Sequence, residues 1–305
     1  MRASNEFTAY RGRGGLVAGF DGSEHGQRAI RWAATEASAR ERPLLLVHAH
    51  LAGVTTAWGT VAAPGWGATN AAFEDAYIQR EIQAHLDETA RECRTQAPEV
   101  ATVLAKGESS PALINAAGTA NAELVVVGSS SLGPLLRILF GSTALDIVRR
   151  SDRPVVVVHH SRPATDAPVV LGVDGTDTSL PAVRFAFEHA ARHGCGLRAV
   201  HAMSGSDRIT SAVATSREEF LGAWRRRYPA VPVEIDITED RPVPALLRQA
   251  KGARLLVVGS SRTNGRNPFG SVSRAAIHRA PCPVAVVPRA RLGSAPPHVP
   301  APRRR

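Results

Sequence analysis

Lysine is almost absent from this chain. Only Lys106 and Lys251 stand among its 37 lysines and arginines, so the net charge of +10 is carried by arginine. The arginines are scattered instead of gathered in one block. They read as solvated faces, and a specific nucleic-acid groove is not indicated despite a pI near 10.7. Cysteine is nearly as scarce: Cys93, Cys195 and Cys282 make an odd set without CxxC spacing. That argues against a disulfide framework and a zinc knuckle and points to a reducing compartment. No run approaches the ~18 apolar residues that a membrane span needs. The opening stretch MRASNEFTAYRGRGG lacks the apolar centre of a secretion signal. The expectation is a cytoplasmic protein with no membrane partner. Enzyme signatures are missing as well: there is no GxxxxGK(S/T), no GxSxG and no HExxH. Gly12-Arg13-Gly14 precedes a strand pattern instead of following one, so it is no dinucleotide fingerprint.

What is present is apolar and periodic. At 305 residues and 44% hydrophobic, the chain suits two domains of about 150 residues. Short strands without polar alternation are read at 16–20, 44–48, 100–104, 124–127 and 154–158. Helices are read at 27–40, 73–94 and 111–119, with a further one opening at Ser142. Such alternation predicts an open parallel sheet covered by helices on both faces. At the centre lies LVVVGSSSLGPLLRILFGS, Leu124 to Ser142. Gly128 ends a buried strand, nine residues separate Ser131 from Gly141, and Ser142 is read as the N-cap of the next helix. A glycine strand end, a small polar loop and free N–H groups at a helix start make a phosphate cradle.

The pattern then repeats. VAGFDGSEHGQRAIRWA from Val17 matches VLGVDGTDTSLPAVRFA from Val170 without a gap, and His48-Ala49 matches His201-Ala202 at the same offset of 153. LVVVG from Leu124 recurs as LLVVG from Leu255, an offset of 131. Phe140-Gly141-Ser142 recurs as Phe269-Gly270-Ser271, and Pro154 to Val158 as Pro283 to Val287, an offset of 129. The drop from 153 to 131 to 129 places the deletions between the second and fourth strands of the second copy and in its loop. The domains are read as 14–162 and 163–290, with a polar arm at 1–13 and a basic, proline-rich tail at 291–305, both expected to be disordered.

These elements, in this order and in tandem, resemble the universal stress protein family. The resemblance implies, for each repeat, a doubly wound five-stranded parallel sheet of order 3-2-1-4-5, of the adenine-nucleotide alpha hydrolase-like kind. It implies ATP as ligand, with Mg2+ as companion ion, and a nucleotide-responsive stress regulator with a regulatory protein partner and a homodimer, not an enzyme. The nucleotide site it carries over is Gly19, Asp21, Ala49, Gly128, Ser131, Gly141, Ser142 and Thr143. Its weaker counterpart is Gly172, Asp174, Ala202, Gly259, Gly270, Ser271 and Ser273. The family pattern G-x2-G-x9-G-(S/T) has Ser131 in place of its second glycine here. In the second copy Arg262 takes that place, and only seven residues lead to Gly270-Ser271. Binding is therefore expected mainly in the first domain, and the alternative is an interaction module that kept the fold without the nucleotide. No metal site and no catalytic residue is read from the sequence. His48 and His201 are read as packed neutral histidines. Finally, the fifth strands lie at a sheet edge in this order, and such edges invite pairing. They are expected to pair within the chain about a pseudo-twofold, with both crevices away from the seam.

Overall fold

The computed structural model describes residues 12, 14–50, 67–129, 142–159, 166–174, 179–203, 211–260 and 270–289. In the first repeat β1 (Leu16–Gly19), α1 (Glu24–Arg40), β2 (Leu44–His50), α2 (Gly67–Cys93), β3 (Val100–Lys106), α3 (Ser109–Thr119), β4 (Leu124–Gly128), α4 (Ser142–Arg150) and β5 (Val155–Val158) follow in order. The second repeat has β6 (Val169–Gly172), α5 (Leu180–His193), β7 (Leu197–Ala202), α6 (Ser211–Arg227), β8 (Val233–Thr238), α7 (Pro242–Gln249), β9 (Leu255–Gly259), α8 (Ser271–Arg279) and β10 (Val284–Val287).

All ten strands join one sheet, ordered β3-β2-β1-β4-β5-β10-β9-β6-β7-β8. Each half has the expected 3-2-1-4-5 order, parallel throughout. The strands are apolar along their whole length because both faces are covered. Leu16, Ala18, Leu44, Leu46, Leu124 and Val126 enter a core under α1, α2, α5 and α6. Their neighbours Val17, Leu45, Val125 and Val127 enter the opposite core under α3, α4, α7 and α8. Each such side chain, fully buried, contributes about 1.5–3 kcal/mol.

The halves meet where the edge argument places them. β5 pairs antiparallel with β10, joining Val157 to Val284, Val156 to Ala285 and Val155 to Val286. At the repeat offset of 129, Val156 and Ala285 are equivalent positions, so a pseudo-twofold passes between them. The pairing removes an exposed edge from each half.

Two helix starts differ from the periodicity. α1 begins at Glu24 and not at Gln27, because Ser23 caps it: its Oγ accepts from the Gly26 N–H at 3.0 Å. α2 begins at Gly67, ahead of Phe73. Trp58 and Trp66, which the sequence places in the connection before it, lie outside the described residues. The three cysteines are free and buried. Burial pushes the thiol of Cys93 up to about 11 and that of Cys282 to about 12, so both stay protonated and inert.

Candidate functional site

From β1 the chain moves toward β2 and from β4 toward β5, so the connections part above the adjacent ends of β1 and β4. Doubly wound sheets open a crevice at this point. Here a cavity of about 170 Å3 is lined by Gly19, Asp21, Ala49, Gly128 and Thr143, all named from the sequence. Gly128 sits in a tight corner. A Cβ there would lie 2.8 Å from the carbonyl oxygen of His25 and 3.1 Å from the N–H of Gly26. The end of β4 thus touches the main chain of the first turn of α1, which only glycine permits. Asp21 serves that turn too: its Oδ1 accepts from the Ser23 N–H at 2.9 Å and the Ser23 hydroxyl at 2.6 Å. It therefore holds the turn and lines the crevice at once. Oδ2 takes neither of these bonds.

At the other end of the cavity, Thr143 and Ala144 come from the first turn of α4. The expectation that Ser142 is an N-cap is corrected. In the second repeat the cap is Gly270, with φ −64° and ψ 146° and no side-chain hydrogen bond, and Ser271 is already helical. Ser142 is likewise the first helical residue of α4. A glycine cap spends none of the first-turn N–H groups, where a serine cap would have used one. Ser131 and Gly141 lie outside the described residues. His48 beside the crevice is neutral, because burial holds its imidazole below the ordinary range, and it meets Phe20 edge-on at 6.0 Å.

Sequence reasoning missed two walls. One is α3, whose Leu113 lies over β1: a Cβ on Gly19 would come within 3.1 Å of it. The other belongs to the second repeat. Ile277 and His278 of α8 line the first repeat's cavity, and the buried His159 donates from Nε2 to the Ile277 carbonyl at 2.7 Å. The crevice expected to lie away from the seam in fact borders it, because β5 forms both the crevice floor and the pairing edge. Nothing in the local sequence signals a contact between residues so far apart in the chain.

In the second repeat, Gly172, Asp174, Ala202, Gly259, Gly270 and Ser271 lie at the corresponding strand ends and helix start. Ser273 does not offer itself to a ligand. It is buried, and its hydroxyl donates to the Gly259 carbonyl at 2.9 Å. Its counterpart in the first repeat is Ala144, which leaves that place open. His201 is buried against the Val173 carbonyl at 3.0 Å, a packed histidine as its position suggested. One polar cluster was not anticipated at all: Glu36, His189 and His193 bring three ligand atoms within 4.8 Å of one another across the two repeats.

The model of the universal stress protein family matches this chain twice, over residues 15–159 and 167–288. The chain belongs to that family. A universal stress protein of Mycobacterium tuberculosis is 36% identical over 291 residues, covering 89% of this chain and 96% of the relative. One from Mycolicibacterium smegmatis is 34% identical over 293 residues, covering 90% and 96%. Among solved structures, a universal stress protein from Archaeoglobus fulgidus superposes with a TM-score of 0.69 at 19% identity, covering 92% of this chain and 97% of that one. At that identity the likeness concerns the fold, and it extends over both repeats. No described helix is long and apolar enough to cross a membrane.

Proposed function

We propose that the first crevice of this universal stress protein binds an adenine nucleotide, ATP, and that the chain acts as a nucleotide-responsive stress regulator in the cytoplasm. One observation carries the reading: Gly19, Asp21, Ala49, Gly128 and Thr143, far apart in sequence, converge on one cavity at the switch point of the sheet. The adenine lies along Val47 and Ala49 beneath Leu113, and Asp21 Oδ2 accepts from a ribose hydroxyl. The phosphates lie toward Gly128 and the amino end of α4, where the first-turn N–H groups and the positive end of the helix dipole favour an anion. Mg2+ is a hard ion that travels with phosphates, and Asp21, Ser129 and Thr143 are hard oxygen donors lining the crevice, so the donor set suits it. His278 makes the second repeat part of this site.

Chemistry is not the proposed role. Asp21 is engaged in holding the turn through Oδ1 and His159 in bridging to the Ile277 carbonyl, roles that are structural. Ser273 supports a different role for the second repeat, that of an interaction module of the same fold. A dimer of chains, if formed, uses a surface other than the fifth strands, which are already paired.

The test is release of adenine nucleotide on denaturing protein purified without added ligand, followed by ATP titration. One strong site per chain is expected. Gly141→Asp, which adds a negative charge at the cradle, should weaken binding more than tenfold, or about 1.4 kcal/mol. Unchanged affinity in a folded variant places the ligand elsewhere. No released nucleotide and no titratable ATP site would make the whole chain an interaction module.

A further inference from the structure

The pseudo-twofold between Val156 and Ala285 also runs through the cluster around Glu36. At the repeat offset of 153, Glu36 on α1 and His189 on α5 are equivalent positions, as are Arg40 and His193, and Trp32 and Phe185. These pairs meet. Glu36 is 1% exposed, and its Oε2 accepts from His193 Nε2 at 2.7 Å. Its Oε1 takes Arg40 Nε at 2.5 Å from its own helix, and lies 3.4 Å from His189 Nδ1 and 3.9 Å from Arg192 Nη1. Trp32 stacks on the His189 ring at 6.2 Å, and the Arg40 guanidinium lies 5.5 Å over the Phe185 ring. The carboxylate comes from the first repeat. Everything the second repeat brings to it is a nitrogen.

A twofold between identical repeats would set each of these residues against itself. Two second repeats would bury paired histidines without the Glu36 carboxylate that accepts from them here. Two first repeats would press two buried carboxylates together, and like charges at that spacing cannot both stay ionised. Only unlike repeats match acceptor to donors. We infer that this cluster is a pairing key: it restricts the fifth-strand seam to one copy of each repeat, so the partner this surface fits is the chain's own second repeat. The short connection at 160–165 then favours that partner over another chain's by raising its effective concentration. The cluster has the ligand spacing of an ion site. However, Arg40 and Arg192 already supply the countercharge of Glu36, and a divalent ion would face both guanidiniums.

The test uses the full chain and reads hydrogen exchange of the β5 and β10 amides. Glu36→His makes the seam like-for-like and should lower protection there about tenfold or more, while each repeat keeps its secondary structure. The swap Glu36→His with His189→Glu restores an unlike pair and should recover protection to within about threefold of the original. Protection unchanged in Glu36→His overturns the key, and so does a swap that fails to recover it. If Glu36→His alone does not fold, the swap decides: a folded chain with a protected seam supports the key, and an unfolded one overturns it. Loss of protection in the unaltered chain on chelation, reversed by zinc, also overturns it by making the cluster a metal site.

Discussion

At the end of β4 the first repeat packs glycine against main chain, Gly128 against His25 and Gly26, whereas a Cβ added to Gly259 at the end of β9 would meet no described atom within 4 Å. Ser23 caps α1 so that it starts at Glu24, and that first turn reaches Gly128. In the second repeat α5 starts at Leu180, the counterpart of Gln27, with a proline in its first turn and no side-chain cap bond. Across the crevice, Ala144 leaves a place that Ser273 fills and ties to Gly259. The two repeats share strand order, cores and seam, so the fold alone does not distinguish the proposed site in the first repeat from its counterpart in the second.

The largest effect tests where the repeats are alike. Val156→Asp and Ala285→Asp each place an unpaired charge at a buried position on the pseudo-twofold, and each should cost about 4 kcal/mol or more in urea unfolding. A large cost at one site and none at the other would break the symmetry of the seam. The next tests where they differ. Gly128→Ala forces a methyl against main chain and should cost about 1–3 kcal/mol. Gly259→Ala should stay within about 0.5 kcal/mol. Equal costs would show that the first repeat's corner is not special.

The smallest effect is a pH dependence of the seam. Burial pushes the His189 imidazole below its ordinary 6.5. Its contribution is whole above that pH and is lost as the pH falls through the lowered folded value. Burial alone would raise the Glu36 carboxyl, but the His189 and His193 rings and the Arg40 guanidinium outweigh it and hold it well below 4.5. Its contribution is present above 4.5 and is lost as the pH falls through its own, lower value. Both act in one direction, so the thermal midpoint should fall from pH 7 toward pH 4. His189→Leu should flatten the upper part of that curve. A midpoint that rises on acidification would refute the assignment.

Much of this was readable from residues alone, for reasons that can be named. Leu124 to Val127 reads as a doubly covered strand because four successive apolar side chains can be buried only on two faces. The matches of Val17 onward to Val170 onward and of Pro154 onward to Pro283 onward reveal two copies. The short apolar runs at the fifth strands predict their pairing, since an uncovered edge of that kind seeks a partner. The ring of positions from Gly19 to Thr143 came from the family resemblance, and of its described members the cavity gathers Gly19, Asp21, Ala49, Gly128 and Thr143 but not Ser142. The start of α1 was misplaced because apolar spacing begins at Gln27, while the bond that sets the boundary is made by a polar side chain, Ser23.

By itself, then, the sequence determined the alternation of strands and helices and their duplication, because each follows from spacing within a few residues or from the comparison of one copy with the other; the strand order that brings β1 beside β4 came from the family resemblance. It could not specify that α8 of the second repeat walls the first crevice, or that Glu36 meets His189 and His193. His159 reaches Ile277 across 118 positions and His193 reaches Glu36 across 157. Contacts of that span exist only after β5 and β10 have docked, since it is the antiparallel seam that turns the helices of one repeat toward those of the other.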